Sequence, residues 1–255
     1  MPNPTAAMLV IGDEILSGRT QDTNTNHLAR ALSAHGIDLK EVRVVADEQG
    51  AIVAALNALR ERFDHLFTSG GIGPTHDDIT ADSVAAAFGV PISVREDARA
   101  ALEAFYRKIG GDLTPARLRM ARIPEGARLI DNPVSGAPGF SIGNVHVLAG
   151  VPSVFRAMVA SVLPTLRGGR PLHSETLRAE RGESEIAEGL GRLAAAFPAL
   201  AIGSYPFRQE GVLGTNIVIR GEDPKLVAEA MARLRALLLG AGGDAASVRA
   251  EAGGE

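Results

Sequence analysis

The stretch Thr68-Ser69-Gly70-Gly71-Ile72-Gly73-Pro74-Thr75-His76-Asp77-Asp78-Ile79-Thr80 decides how the rest of the chain is read. The apolar pair Leu66-Phe67 leads into it, and a helix-like run from Asp82 to Phe88 leaves it. That order is a strand, a glycine turn and a helix start. Glycines at 70, 71 and 73 let the backbone take positive φ and come close to a ligand. Backbone N–H groups in such a turn form an anion-binding hollow, and the following helix start adds partial positive charge. The adjacent carboxylates Asp77 and Asp78 oppose an anion unless a divalent cation lies between them and it. The plain alternative is a βα turn in which an aspartate caps the helix.

Working toward the N-terminus, Ala6 to Ile11 is a continuous apolar run ended by Gly12, the pattern of a strand buried on both faces. Asp13 and Glu14 follow at its carboxyl end, where open α/β sheets bind ligands. Thr23-Asn24 is read as the cap of a helix running to about Ala34, with Asn24 either a cap or a ligand contact. Ile37 to Val45 is the next strand, with Asp47 just past its end, and a helix follows from about Glu48 to Arg62. Asp64 to Thr68 then delivers the glycine loop. This β-α-β-α-β order implies parallel strands joined by right-handed crossovers. Three strand ends therefore carry acids: Asp13/Glu14, Asp47 and Asp77/Asp78. Carboxylates crowded on one sheet edge repel unless a cation neutralises them, so these five are the candidate metal ligands.

Beyond the loop, Val90 to Val94 is a short strand opened by Pro91, suited to an edge. Helices are expected from Glu96 to Lys108 and from Thr114-Pro115 to near Ile123-Pro124, then a strand from Ala127 to Ile130. Asn132 to Phe140 is too rich in glycine and proline for regular structure, and serves either as a binding wall or as a connection. Gly143-Asn144 is a two-residue hairpin turn, and Gly150-Val151-Pro152 opens another helix at the ligand edge. Gly168-Gly169-Arg170-Pro171 reads as a linker. A βαββα pattern follows it. The expected division is 1–167 for the large domain, 168–239 for a small α+β domain and 240–255 for a flexible, Ala/Gly-rich tail.

Composition limits the rest. The chain has 255 residues, 45% hydrophobic and 22% charged, with a net charge of -4 and a pI near 5.9. No basic excess points to nucleic acid or to an anionic membrane surface. Cysteine is absent, which removes disulfides, thiolate metal sites and cysteine nucleophiles, and makes the cytoplasm the natural compartment. Met1-Pro2-Asn3-Pro4 lacks the basic start of a signal peptide, and no apolar stretch approaches the ~20 residues of a membrane span. Neither Gly-x-x-x-x-Gly-Lys-Ser/Thr nor His-Glu-x-x-His occurs. His76 is a candidate phosphate donor or base on the loop.

Taken together, Gly12-Asp13-Glu14-Ile15-Leu16, Asp22-Thr23-Asn24, the string Ser69 to Thr80, Asn132-Pro133, Ala137-Pro138-Gly139-Phe140 and Gly150-Val151-Pro152 resemble the MoaB/Mog-type molybdopterin-binding fold. The version resembled is that of competence/damage-inducible protein A, over roughly residues 6 to 165. Gly203-Ser204-Tyr205-Pro206 is similar to the small domain that follows there. The resemblance implies an α/β fold, a three-layer α/β/α arrangement about a mostly parallel sheet, assembled as a homo-oligomer (dimer or trimer). It implies that a pterin or adenine-nucleotide ligand meets Gly12, Asn24, Ser69, Gly70, Gly71, Gly73, Pro74, Thr75, Gly139 and Gly150, and that Asp47 and Asp78 are the functional acids. For the competence-protein branch it implies hydrolysis of a nucleotide pyrophosphate such as ADP-ribose, with Mg²⁺ or Co²⁺ and with or without K⁺. For the similar FAD synthase portion it implies hydrolysis of FAD. The alternative implied function is molybdopterin binding without turnover. Ala149 stands where many relatives have proline and Val154 where they have glutamate. Because the chain ends at Glu255, the nicotinamide-mononucleotide deamidase activity often fused behind this domain is not expected.

Overall fold

Alternation inside one strand explains the layered architecture. In β1 (Thr5–Ile11) the side chains of Ala7, Leu9 and Ile11 enter one apolar cluster, and those of Ala6, Met8 and Val10 enter another. A strand with two buried faces must be covered on both sides, so helices sandwich the sheet. The computed structural model describes residues 2–209, 211–240 and 248–251.

Chain order gives β1, α1 (Asp13–Leu16), α2 (Asn24–Ala34), β2 (Asp38–Val45), α3 (Gln49–Arg60), β3 (His65–Ser69) and α4 (Thr80–Phe88). Then come β4 (Ile92–Val94), α5 (Glu96–Lys108), α6 (Pro115–Leu118), β5 (Arg122–Pro124), β6 (Arg128–Ile130), β7 (Gly139–Ile142), β8 (Val145–Leu148) and α7 (Pro152–Val162). Six strands form one sheet in the order β2-β1-β3-β8-β7-β6. β2, β1, β3 and β8 run parallel, and β7 is the antiparallel return of the Gly143-Asn144 hairpin. Helix α3 packs Ile52, Leu56 and Leu59 on one face, while α2 and α7 pack Leu28, Leu32, Phe155 and Met158 on the other. The expected mostly parallel α/β sheet is therefore present.

Two local expectations need correction. The run from Arg119 to Pro124 is not α-helical. A 3-10 turn at Arg119–Ala121 leads into β5, which pairs antiparallel with β4 as a separate ribbon. Thr23 makes no side-chain cap on α2; the Asp22 carboxylate accepts the N–H groups of Asn24 and Thr25 at 2.9 and 3.1 Å.

The chain divides into two units, Met1–Arg170 and Pro171–Glu255. In the second, β9 (His173–Ala179), α8 (Glu183–Ala196), β10 (Ala201–Gln209), β11 (Val212–Gly221) and α9 (Pro224–Gly240) give the βαββα order. Leu177, Ile217, Leu193 and Leu234 share its own core. The expectation of a tail without structure fails at one point: Val248–Glu251 is a strand, β12, that pairs antiparallel with β9. The remainder of that stretch, 241–247 and 252–255, lies outside the described residues.

Candidate nucleotide or pterin site

Parallel strands β1, β3 and β8 end on one edge of the sheet, and their following turns meet there. The turns of β3 and β8 approach so closely that a Cβ on Gly150 would stand 3.3 Å from the Gly70 Cα. Gly70 has φ +104°, and a Cβ there would lie 2.2 Å from the Ile11 carbonyl oxygen. Only glycine allows this crossing of backbones. The Gly70 N–H donates to Leu148 O at 3.2 Å, so it is not free for a ligand. Among the described residues, the amides of Gly71, Ile72 and Gly73 take no internal acceptor. They are the loop's open donors.

Asn24 ties the three turns together. It is 6% exposed, and its Nδ2 donates to Ser69 Oγ at 2.9 Å and to Gly150 O at 2.7 Å. Its Oδ1 is buried without a partner. Asn24, Ser69, Gly70 and Gly150 line a small cavity of about 50 Å³ beside the main pocket.

The main pocket holds about 680 Å³. Its floor is Gly70 to Pro74; Glu14 and Thr20 close one side and Gly150 to Pro152 another. The 132–140 segment forms a wall. Asn132 is buried, accepts the N–H groups of Val134 and Ser135, and donates to Ala137 O at 2.8 Å. This turn presents Asn132, Ser135 and Ala137 to the cavity.

Of the five acids, Glu14 and Asp78 line the pocket. Asp78 bends back on its own loop and accepts the Thr75 N–H at 2.8 Å and the Thr75 hydroxyl at 2.5 Å. Asp47 Oδ2 accepts the Asp13 N–H at 3.0 Å, which clips the β2 turn to α1. Partial burial raises the Asp47 carboxyl; the Asp13 N–H opposes this, and the charges of Asp13, Glu14 and Asp77 add to it. Asp13, Glu14 and Asp77 are near enough for their charges to act on Asp47; Asp78 is not in that group and turns back to Thr75 instead. Among the described residues, no three acidic or histidine side chains form a ready metal-ligand group. A cation held by one or two carboxylates and by ligand phosphates does not need one.

Several sequence candidates lie elsewhere. Gly139 is inside β7, where a Cβ would meet Val147 O at 2.4 Å, so it serves strand packing. Gly12 underlies the Glu14 carboxylate, Thr75 serves Asp78, and neither lines the pocket. His76 is fully exposed, 3.9 Å from Asp77, and does not line it either. Thr20 and Met120 were missed. Thr20 is brought in by its N–H bond to Glu14 O at 3.0 Å, and Met120 by the 3-10 turn.

Residues 7–168 match the family described as probable molybdopterin binding domain. The chain belongs to that family. Residues 171–242 match the FAD synthase middle domain, so this module and not a deamidase follows the first. A CinA-like protein of Citrifermentans bemidjiense is 40% identical over 167 residues, 64% of this chain and 40% of its own length. A Thermoplasma acidophilum protein is 33% identical over 210 residues, 79% of this chain and 80% of its own. The crystal structure of the protein CinA with unknown function from Thermoplasma acidophilum superposes with TM-score 0.58 at 36% identity, covering 65% of this chain and 99% of that one. This chain spans 40%, 47% and 51% of three curated CinA-like relatives. Among the described residues no helix is long and apolar enough to cross a membrane.

Proposed function

We propose that this molybdopterin-binding-domain protein is a divalent-metal-dependent hydrolase of a nucleotide pyrophosphate of the ADP-ribose or FAD type. The observation that carries the reading is the pocket itself: about 680 Å³, floored by the open amides of Gly71, Ile72 and Gly73 and flanked by carboxylates. A diphosphate needs both donors for its oxygens and a cation for its charge. In this reading the loop amides hold one phosphoryl group, and Glu14 and Asp78 face the remainder. Asp47, held by the Asp13 N–H, sets a further carboxyl at the β2 end. Bound there, a divalent ion would neutralise phosphate charge and activate water. The mostly apolar wall at Met120, Ala137, Val151 and Val154 suits a base or ring system.

Incubation with ADP-ribose or FAD and Mg²⁺ or Co²⁺, followed by chromatography, tests this directly. Cleavage to AMP and ribose 5-phosphate, or to AMP and FMN, is expected; intact substrate with every metal rejects it. Asp78→Asn is expected to lower turnover at least about 100-fold. The melting temperature should move little, because the amide oxygen still accepts from Thr75. A second reading, pterin binding without turnover, rests on the family match over residues 7–168. Calorimetry with molybdopterin checks it.

A further inference from the structure

A third and still smaller cavity of about 20 Å³ adjoins the glycine loop, lined by Gly71, Gly73, Asp78, Asp82, Arg119 and Arg122. It shares Gly71, Gly73 and Asp78 with the main pocket. Its two carboxylates are already engaged. Asp82 Oδ1 pairs with Arg122 at 2.5 Å. Asp78 takes both donors of Thr75. Arg119 is left over: its Nε is buried with no hydrogen-bond partner, and the side chain has no ion pair among the described residues. The turn that carries it is fixed, since Ala121 is fully buried and its carbonyl accepts the Arg95 N–H at 3.0 Å. The Arg119 Nε–H is thus a buried donor without an acceptor, a cost that a bound acceptor would remove.

We propose that Arg119 completes an anion subsite, gripping the phosphoryl group that the Gly71–Gly73 amides hold. The ligand class is a phosphate or diphosphate monoanion or dianion. This rests on the phosphate-ligand reading above, but not on hydrolysis. Asp78 lines both cavities, so an anion bound there would contact a neutral amide floor, a cation and one carboxylate. That arrangement explains how the loop tolerates Asp78 beside a phosphate even before a metal arrives.

The test is calorimetry on the full chain with Mg²⁺, using inorganic pyrophosphate, ADP-ribose and adenosine as probes. Arg119→Gln should weaken pyrophosphate and ADP-ribose by about tenfold to a hundredfold, the worth of a charge-assisted hydrogen bond. Adenosine binding and the melting temperature should not change. Arg119→Lys keeps the charge and should recover affinity to within about threefold to tenfold. Unchanged affinity in Arg119→Gln, an equal loss for adenosine, or no binding of either phosphorylated probe by the wild type overturns the proposal. Should Arg119→Gln melt at lower temperature, the salt dependence of pyrophosphate binding decides. Arg119→Lys must then match the wild-type slope, and a reduced slope counts against the subsite. Arg119-dependent pyrophosphate binding without cleavage of ADP-ribose would remove the hydrolase reading alone.

Discussion

His146 is 2% exposed on β8, with its Nδ1 2.9 Å from the Ser141 hydroxyl and its Nε2 3.3 Å from Nδ1 of His65. Phe67 packs against it with ring centroids 5.0 Å apart. Burial, aided by the charges of His65 and Arg128, pushes its pKa down to about 3. His65 is pushed down too, by burial, against the pull of Asp64. In the unfolded chain a histidine titrates near ~6.5. Below that pH the unfolded state gains a proton that the fold refuses. The contribution of neutral His146 is therefore complete above about pH 6.5 and is lost progressively as pH falls toward 3, by about 1.4 kcal/mol per pH unit at most. Urea midpoints should be flat from about pH 8 to 7 and fall below about 6.5. His146→Gln should flatten that fall; an unchanged slope would assign it to other groups. Nothing in the local sequence marks this histidine, because its neighbours come from β3 and β7.

At the level of elements, the turn after β3 shows what local sequence reveals and what it does not. Gly70-Gly71 was legible because only glycine accepts φ of +104° and +68°. The buried run of β1 and the hairpin at Gly143-Asn144 were legible for similarly local reasons. What failed depended on distant partners. Arg122–Pro124 is a strand only because β4 lies beside it. Asn24 and Asp22 are equally good caps by composition. Asn24 is taken instead by Ser69 and Gly150, far along the chain. Within the site, which of the glycine amides are open depends on β8, since Leu148 claims the Gly70 N–H. Replacing Gly70 by alanine would force a Cβ to 2.2 Å from Ile11 O. The expected loss is about 2 kcal/mol or more, combining backbone strain with a clash against backbone that cannot rotate away. Because β1 and β3 would separate at the pocket floor, ligand affinity should fall with it. Denaturation of Gly70→Ala within about 0.5 kcal/mol of wild type would show that the two backbones can move apart there at little cost.

For the molecule as a whole, the boundary between the units is a question of three residues. Composition marks Gly168-Gly169-Arg170 as linker, yet each is bound to the first unit or pressed against it. Gly169 N–H donates to Gly36 O at 3.1 Å. Arg170 N–H donates to Asn3 Oδ1 at 2.9 Å, and Asn3 Nδ2 donates to Arg170 O at 3.0 Å. A Cβ on Gly168 would stand 2.4 Å from His35 O, so this strap fits only as glycine. It fastens the segment leaving α7 to the α2–β2 turn and to the start of β1. Every residue lining the pocket lies before this strap, and the second unit has a separate apolar core. A chain cut after Arg170 should therefore fold and bind the ligand proposed above as the full chain does, to within about threefold. A chain cut after Arg167 loses three hydrogen bonds, each worth about 0.5–1.5 kcal/mol net and less at exposed positions. For a unit of this size that predicts a melting temperature lower by roughly 3–8 °C. Thermal melts of the two fragments side by side check both statements. Equal melting would make the strap incidental, and loss of affinity in the longer fragment would mean that the small domain takes part in binding.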